Sequence, residues 1–81
     1  MTVHVKLFAV LREKAGVAEC ALDLPEGATV RSARGPLLAR LPALREHIDR
    51  CAYAVNWSYV KSDTRLRDGD ELALIPPVSG G

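Results

Sequence analysis

The chain has 81 residues, and its eleven Lys plus Arg nearly balance its ten Asp plus Glu, giving a formal net charge of +1. This length supports one small domain with one hydrophobic core. Without an excess of charge or a run of like charges, the sequence argues against binding to nucleic acid or to a membrane surface. It also lacks a Walker A sequence and a G-x-G-x-x-G pattern, which argues against nucleotide binding by the chain itself.

The sequence indicates a cytoplasmic protein. No apolar stretch approaches the ~20 residues that cross a bilayer, and the N-terminal residues do not resemble a secretory leader. Cys20 and Cys51 are too far apart for a CxxC metal or redox motif. We therefore expect two free, buried thiols in a reducing compartment and no metal site.

The first two predicted elements are strands. Apolar side chains alternate with other residues over residues 2–10, which predicts a strand. A short helical turn then ends at Gly16. Alternation resumes over residues 19–24, and Pro25-Glu26-Gly27 ends this second strand. The two strands are expected to form a hairpin.

A helix is predicted over residues 30–41, with Thr29 as its N-cap. Its apolar residues recur at helical spacing and would cover one face of a sheet. Gly35-Pro36 interrupts this segment, because Pro36 has no N–H to bond to the carbonyl of Ser32. The sequence therefore favours a kink or a broken first turn, and the alternative is a helix that begins at Pro36.

The second half of the chain predicts short strands. After a short helical piece or loop over residues 44–49, strands are expected over residues 53–56 and 59–60. Asp68-Gly69-Asp70 indicates a turn, and the last strand covers residues 71–75. The order β-β-α-β-β, with one main helix on one face of a mixed sheet, predicts an α+β domain of the β-grasp, or ubiquitin-like, type over residues 1–75. The first and last strands would then be central and parallel.

This arrangement places apolar residues on the face that the helix does not cover. If the helix packs on the face bearing Leu7 and Leu74, then Phe8 and Ile75 point to the opposite face. With Val10 and Tyr59 they would form an exposed apolar patch, which is typical of partner surfaces. The alternatives are that loops cover the patch or that the register is inverted.

Residues 76–81, Pro-Pro-Val-Ser-Gly-Gly, predict a flexible, extended tail. Pro76 and Pro77 cannot donate backbone hydrogen bonds, so the strand must end before them. Gly80 and Gly81 lack a Cβ and form a thread thin enough to enter a narrow cleft. The Gly81 carboxylate would be the reactive group, attacked by a nucleophile once it is activated as an acyl-adenylate. The alternative is a frayed terminus without a function.

Three segments together resemble the molybdopterin synthase small-subunit family of sulfur carriers. They are Leu-Phe-Ala-Val-Leu-Arg-Glu at residues 7–13, Ala-Val-Asn at residues 54–56, and the whole stretch from Leu66 to Gly81. The resemblance covers essentially the whole chain. It implies that an E1-like adenylating enzyme consumes ATP to activate Gly81, and that a sulfur donor protein then supplies the sulfur of a thiocarboxylate. The carrier itself would bind no cofactor.

The resemblance also implies an assembly with the large synthase subunit as a heterotetramer. In that complex the tail would donate sulfur to convert cyclic pyranopterin monophosphate to molybdopterin. Gly81 and Gly80 would then be the catalytic residues of the chain. The residues expected to contact partners are Phe8, Tyr59, Ile75, Pro76, Pro77, Val78 and Ser79.

Three other functions are compatible with the same sequence. A sulfur carrier of the thiamin pathway has the same fold and Gly-Gly end. A ubiquitin-like modifier would be joined through Gly81 to lysines of other proteins. A plain interaction domain would have an inert tail.

Overall fold

The computed structural model of the chain describes residues 1–77. Its helices and strands are β1 Thr2–Leu7, α1 Ala9–Ala15, β2 Glu19–Asp23, α2 Arg34–Arg40, β3 Ala52–Val55, β4 Ser58–Val60 and β5 Glu71–Ile75. Short 3₁₀ turns occur at Arg31–Ala33, Pro42–Leu44 and Ile48–Arg50. Within the described part of the chain, neither helix is long and apolar enough to cross a lipid bilayer. The predicted contacts of Val78 and Ser79, the reactive Gly80 and Gly81 and the predicted flexibility of the tail fall outside these residues.

The five strands form one mixed sheet in the order β2-β1-β5-β3-β4. The first and last strands are parallel neighbours, in a register that pairs His4 with Glu71 and Leu7 with Leu74. β2 is antiparallel to β1, and β3 is antiparallel to both β5 and β4. The predicted β-grasp arrangement is confirmed, including the central parallel pair.

The first strand is shorter than the sequence predicted. β1 ends at Leu7, and the residues up to Val10 were wrongly assigned to it, because α1 begins at Ala9. Ala9 has a φ of 50°, in the left-handed region, so the chain turns sharply there and the strand cannot continue. The predicted stop at Gly16 is confirmed: its φ is 76°, and its N–H donates to the carbonyl of Arg12 at 2.9 Å.

The main helix has the broken first turn that Gly35-Pro36 predicted. A 3₁₀ turn at Arg31–Ala33 precedes α2, and Pro36 is the third residue of α2, not its first. N–H groups in the first turn of a helix have no intrahelical partner, so proline is tolerated there. Thr29 caps this segment as expected. Its Oγ1 accepts the Ser32 N–H at 3.2 Å, and its own N–H donates to Ser32 Oγ at 2.8 Å.

A single core lies between the inner face of the sheet and the helical segments. The inner face carries alternate residues of β1 and β5, and the covering side chains come from α1, α2 and the 3₁₀ turns. The largest of its fully buried side chains are Val3, Val5, Leu7, Leu11, Val30, Leu37, Leu44, Ile48, Leu72 and Leu74. Among residues 1–77, no polar or charged residue is buried. The predicted inner face of the sheet is therefore confirmed.

Candidate functional site

The root of the tail is the end of the central strand β5. Ile75 is its last paired residue, opposite Ala52 of β3, and β1 stops one residue earlier at Leu7. Pro76 and Pro77 follow outside the sheet. Neither proline has an N–H with which to extend the ladder, so the chain must leave the sheet at this point. The strand registers therefore place Pro76 and Pro77 just outside the sheet, at the end of its central strand.

The outer face of the sheet carries apolar residues where an uncovered face is expected to be polar. Tyr59 lies opposite Ala54, and Ala54 lies opposite Ala73, so the three form a row across β4, β3 and β5. Ile75 lies two residues beyond Ala73, on the same face. Phe8 follows Leu7, the partner of Leu74, and its extended backbone (φ −126°, ψ 156°) continues the alternation of β1, which places Phe8 on the same face as Ile75. We call Phe8, Ala54, Tyr59, Ala73 and Ile75 the outer-face patch.

The exposure of the larger side chains in this patch fits a partner surface, whereas Ala54 and Ala73 are buried. Tyr59 is 73% exposed and Phe8 is 38% exposed, whereas Ile75 is half-buried. The expectation that Val10 would join them was wrong, since Val10 belongs to α1 and packs against the core. No helix covers the outer face in the described residues, and Phe8 and Tyr59 stay exposed, so loops do not fold over these two side chains.

Charged residues border the outer-face patch on its β1 side. Lys6 lies opposite Ala73, and its Nζ is 2.9 Å from Glu19 Oε2 and 3.9 Å from Glu71 Oε1. The hydrogen bond between Lys6 and Glu19 is the main cause that raises the pKa of Lys6 and lowers the pKa of Glu19. These charged side chains remain ionised near neutral pH and form the border of the outer-face patch on the β1 side.

The two cysteines do not form a redox or metal site. Both thiols are free, as expected, although each is half-buried and not fully buried. Desolvation raises the pKa of Cys20 and of Cys51 above the ordinary value of 9.0. The reactive thiolate is therefore scarce at neutral pH. Within residues 1–77 no group of His, Cys, Asp and Glu side chains could hold a metal ion.

Sequence reasoning missed one feature near the site and one at the opposite end of the sheet. One is a cleft beside the tail root, in which His47 and Arg50 face Pro76 and Pro77. The other is Trp57, which is 79% exposed at the tip of the β3–β4 hairpin. Trp57 has a φ of 71°, a conformation that such turns usually assign to glycine. In the sequence, the Asn56-Trp57 pair between two short alternating stretches was the signal that could have indicated this tight turn.

The fold and the tail root together define a ubiquitin-like β-grasp domain. The model of the ThiS family matches residues 5–81. A molybdopterin synthase sulfur carrier subunit from Chlamydomonas reinhardtii is 41% identical, and the match covers 100% of each chain. The chain belongs to the ThiS family, and the small-subunit resemblance found in the sequence is thereby confirmed.

Solved structures give the same result for the fold. SAMP1 from Haloferax volcanii superposes with a TM-score of 0.92 at 35% identity and full coverage of both chains. A chain from a complex of subunits 1 and 2 of the molybdopterin-converting factor of Helicobacter pylori has a TM-score of 0.74 at 28% identity, again with full coverage of both chains. In that neighbour, a protein of this fold is seen together with a second subunit.

Proposed function

We propose that this chain is the sulfur-carrier small subunit of a molybdopterin synthase. The observation that carries the proposal is the joint position of the tail root and the outer-face patch. Ile75 is both the last paired residue of β5 and a member of the patch. A partner that binds the patch is therefore positioned to receive the residues that follow Pro77. The names of the curated relatives agree with this role.

The proposed chemistry is confined to the Gly81 carboxylate. One carboxylate oxygen attacks the α-phosphorus of ATP in the active site of an E1-like enzyme, and pyrophosphate leaves. A sulfur nucleophile from a donor protein then attacks the carbonyl carbon of the acyl-adenylate, and AMP leaves. With hydrogen sulfide as the simplest donor, the product is a thiocarboxylate. ATP is consumed by the activating enzyme, and the chain itself needs no bound cofactor.

The role of the carrier in this scheme is delivery. Two glycines without side chains allow the thiocarboxylate to enter a closed pocket of the large subunit. There it supplies sulfur for the conversion of cyclic pyranopterin monophosphate to molybdopterin. From Pro77, four further residues at ~3.3 Å each reach about 13 Å. The catalytic side chains belong to the partner, and the assembly is a heterotetramer of two small and two large subunits.

The outer-face patch is the proposed contact with the large subunit. Phe8, Tyr59 and Ile75 supply the aromatic and aliphatic surface that anchors interfaces, and Pro76 and Pro77 lead from it into the tail. The alternative roles are not favoured, because the curated relatives are named for molybdopterin synthase. Protein modification through Gly81 is a second outcome to test for, since one solved neighbour is the small archaeal modifier protein 1 of Haloferax volcanii.

The proposal is tested by reconstitution with the cognate large subunit, the activating enzyme, ATP and a sulfur donor. Full-length protein is expected to support dithiolene formation, and a variant lacking Gly81 is expected to support none. Both are expected to have the same melting temperature, because β5 ends at Ile75. Dithiolene formation by the truncated variant would overturn the proposal.

A further inference from the structure

A cleft of about 460 Å³ lies directly beside the tail root. It is bounded by the start of α1, the 3₁₀ turn at Ile48–Arg50 and the two prolines after β5. The residues that line it are Ala9, Val10, His47, Arg50, Pro76 and Pro77. We call it the tail-root cleft. Its walls are mainly apolar, and its two polar side chains, His47 and Arg50, come from the same turn.

The backbone holds His47 and Arg50 side by side. Side chains three residues apart point in the same direction in a 3₁₀ turn. The Arg50 N–H donates to the His47 carbonyl at 3.1 Å, which closes this turn, and the Cys51 thiol donates to the same carbonyl at 3.3 Å. Ile48, between them, is only 1% exposed and fixes the segment to the core. The wall of the cleft is thus built on an anchored turn.

The cleft carries uncompensated positive charge. Asp49, the acid within this turn, is engaged elsewhere: its two oxygens accept from Arg34 Nε at 2.8 Å and Nη2 at 3.0 Å. In the described part of the chain, no acidic side chain lines the cleft and Arg50 takes part in no salt bridge. A guanidinium beside apolar walls favours a carboxylate, which it can bind through two parallel hydrogen bonds.

We propose that the tail-root cleft receives an Asp or Glu side chain of the protein into which the tail is inserted. This inference rests on the proposed function and adds a specific contact to it. The cleft is continuous with the tail, since Pro76 and Pro77 form one of its walls. A partner that encloses the tail must therefore cover the cleft, where its carboxylate would pair with Arg50 and accept a hydrogen bond from His47. The contact fixes the direction in which the tail leaves the domain.

The test compares the affinity of three full-length variants for the cognate large subunit at low and at high salt. Arg50→Glu reverses the charge in the cleft, whereas Arg50→Lys keeps it. Arg45→Glu is the matched control, because Arg45 is an exposed arginine of the same segment that does not line the cleft. Because Arg50 is also exposed, all three variants are expected to fold, and melting curves verify this.

Arg50→Glu is expected to lower the affinity about tenfold or more at low salt and less at high salt. Arg45→Glu is expected to stay within about threefold of the wild type. Arg50→Lys keeps the charge but loses the paired hydrogen bonds, so its affinity is expected to lie between those of the wild type and of Arg50→Glu. Equal effects of the two Glu variants, or no effect of Arg50→Glu, would overturn the inference. Tighter binding by Arg50→Glu would overturn it as well, since Arg50 would then oppose the partner.

A thiocarboxylation assay on the same proteins separates this inference from the proposed function. If the wild type gains sulfur at Gly81 and binds the large subunit, while Arg50→Glu binds like Arg45→Glu, only the inference fails. If the wild type neither gains sulfur nor binds, the proposed function fails and the inference fails with it.

Discussion

Ala54 of β3 and Ala73 of β5 lie directly opposite each other on the outer face of the sheet, and both are buried there. Ala54 is 5% exposed and Ala73 is 7% exposed, yet neither belongs to the core cluster on the inner face. Two methyl groups side by side make the middle of the outer-face patch shallow. Because both alanines are buried, a partner meets the larger side chains of the patch, Phe8, Tyr59 and Ile75, and not the backbone of the central strand.

The shallow centre of the patch predicts a large effect of substitution at Ala54. Ala54→Glu places a charged side chain between Tyr59 and Ala73, where a docked partner would have to desolvate it. We expect binding to the large subunit to weaken at least about tenfold and the unfolding free energy to fall by about 1–3 kcal/mol, because Ala54 is buried and the larger side chain must displace its neighbours before it reaches solvent. Calorimetric titration and thermal melts measure the two quantities.

Ala21→Glu is the matched control for this prediction, since Ala21 is an exposed residue on the same face but on the edge strand β2. It is expected to bind like the wild type. Equal weakening by both variants would contradict a localised patch.

Adjacent residues at the end of β1 allow a sharp test of the two faces. Leu7 is 2% exposed in the core, and Phe8 is 38% exposed on the outer face. Phe8→Asp should weaken large-subunit binding while the domain stays folded. Leu7→Asp should destabilise the domain by about 3 kcal/mol or more, because it buries an unpaired charge. Chemical denaturation distinguishes them, and marked unfolding by Phe8→Asp would show that the face assignment is wrong.

The hairpin tip predicts opposite effects of glycine at two neighbouring positions. Asn56 (φ 49°) and Trp57 (φ 71°) both have left-handed backbones. Trp57→Gly should stabilise the domain by about 1 kcal/mol, because it relieves the strain of a bulky residue there.

Asn56→Gly should instead destabilise the domain, although it also relieves the backbone. The Asn56 side chain donates to Asp70 Oδ1 at 2.9 Å and accepts the Glu71 N–H at 3.0 Å, and glycine loses both bonds. Urea denaturation of both variants measures the signs. A loss of stability in Trp57→Gly would mean that the Trp57 ring packs favourably enough to offset its strain.

The Arg34–Asp49 pair gives a pH-dependent prediction. The hydrogen bond from Arg34 holds the pKa of Asp49 below its ordinary value of 3.8. Since the folded-state pKa is depressed, the pair stabilises the fold above that ordinary value, and the contribution is lost as pH falls through the lowered pKa. Carboxyl carbon NMR should record the low pKa in the wild type and a return towards 3.8 in Arg34→Gln. An unchanged titration would contradict the pairing.

Most of the fold was predictable because it follows from local sequence patterns, namely the alternation of apolar residues and the positions of proline and glycine. Alternation located β2 and β5, and the missing N–H of Pro36 indicated the broken turn before α2. The same alternation misled at the end of β1, because Ala9 adopts a φ of 50° that no local pattern indicates. Val10 was therefore placed on the outer face, although it packs against the core from α1.

The candidate site was predictable only where alternation along a strand decides which face of the sheet a residue occupies. Phe8, Tyr59 and Ile75 were assigned to the outer face by counting alternate residues, and the structure places them there. The tail-root cleft could not be found in this way. Its walls come from three segments that are far apart in sequence, and they meet only after the helical turns have packed against the sheet.

The central claim is that the Gly81 carboxylate becomes a sulfur donor. Its most direct test is intact-mass spectrometry of the protein after incubation with the cognate activating enzyme, ATP and sulfide, followed by mapping of the C-terminal peptide. Our account predicts a gain of about 16 Da at Gly81, the difference between a sulfur and an oxygen atom, which depends on ATP. An unchanged mass in the presence of a demonstrably active enzyme would contradict the account.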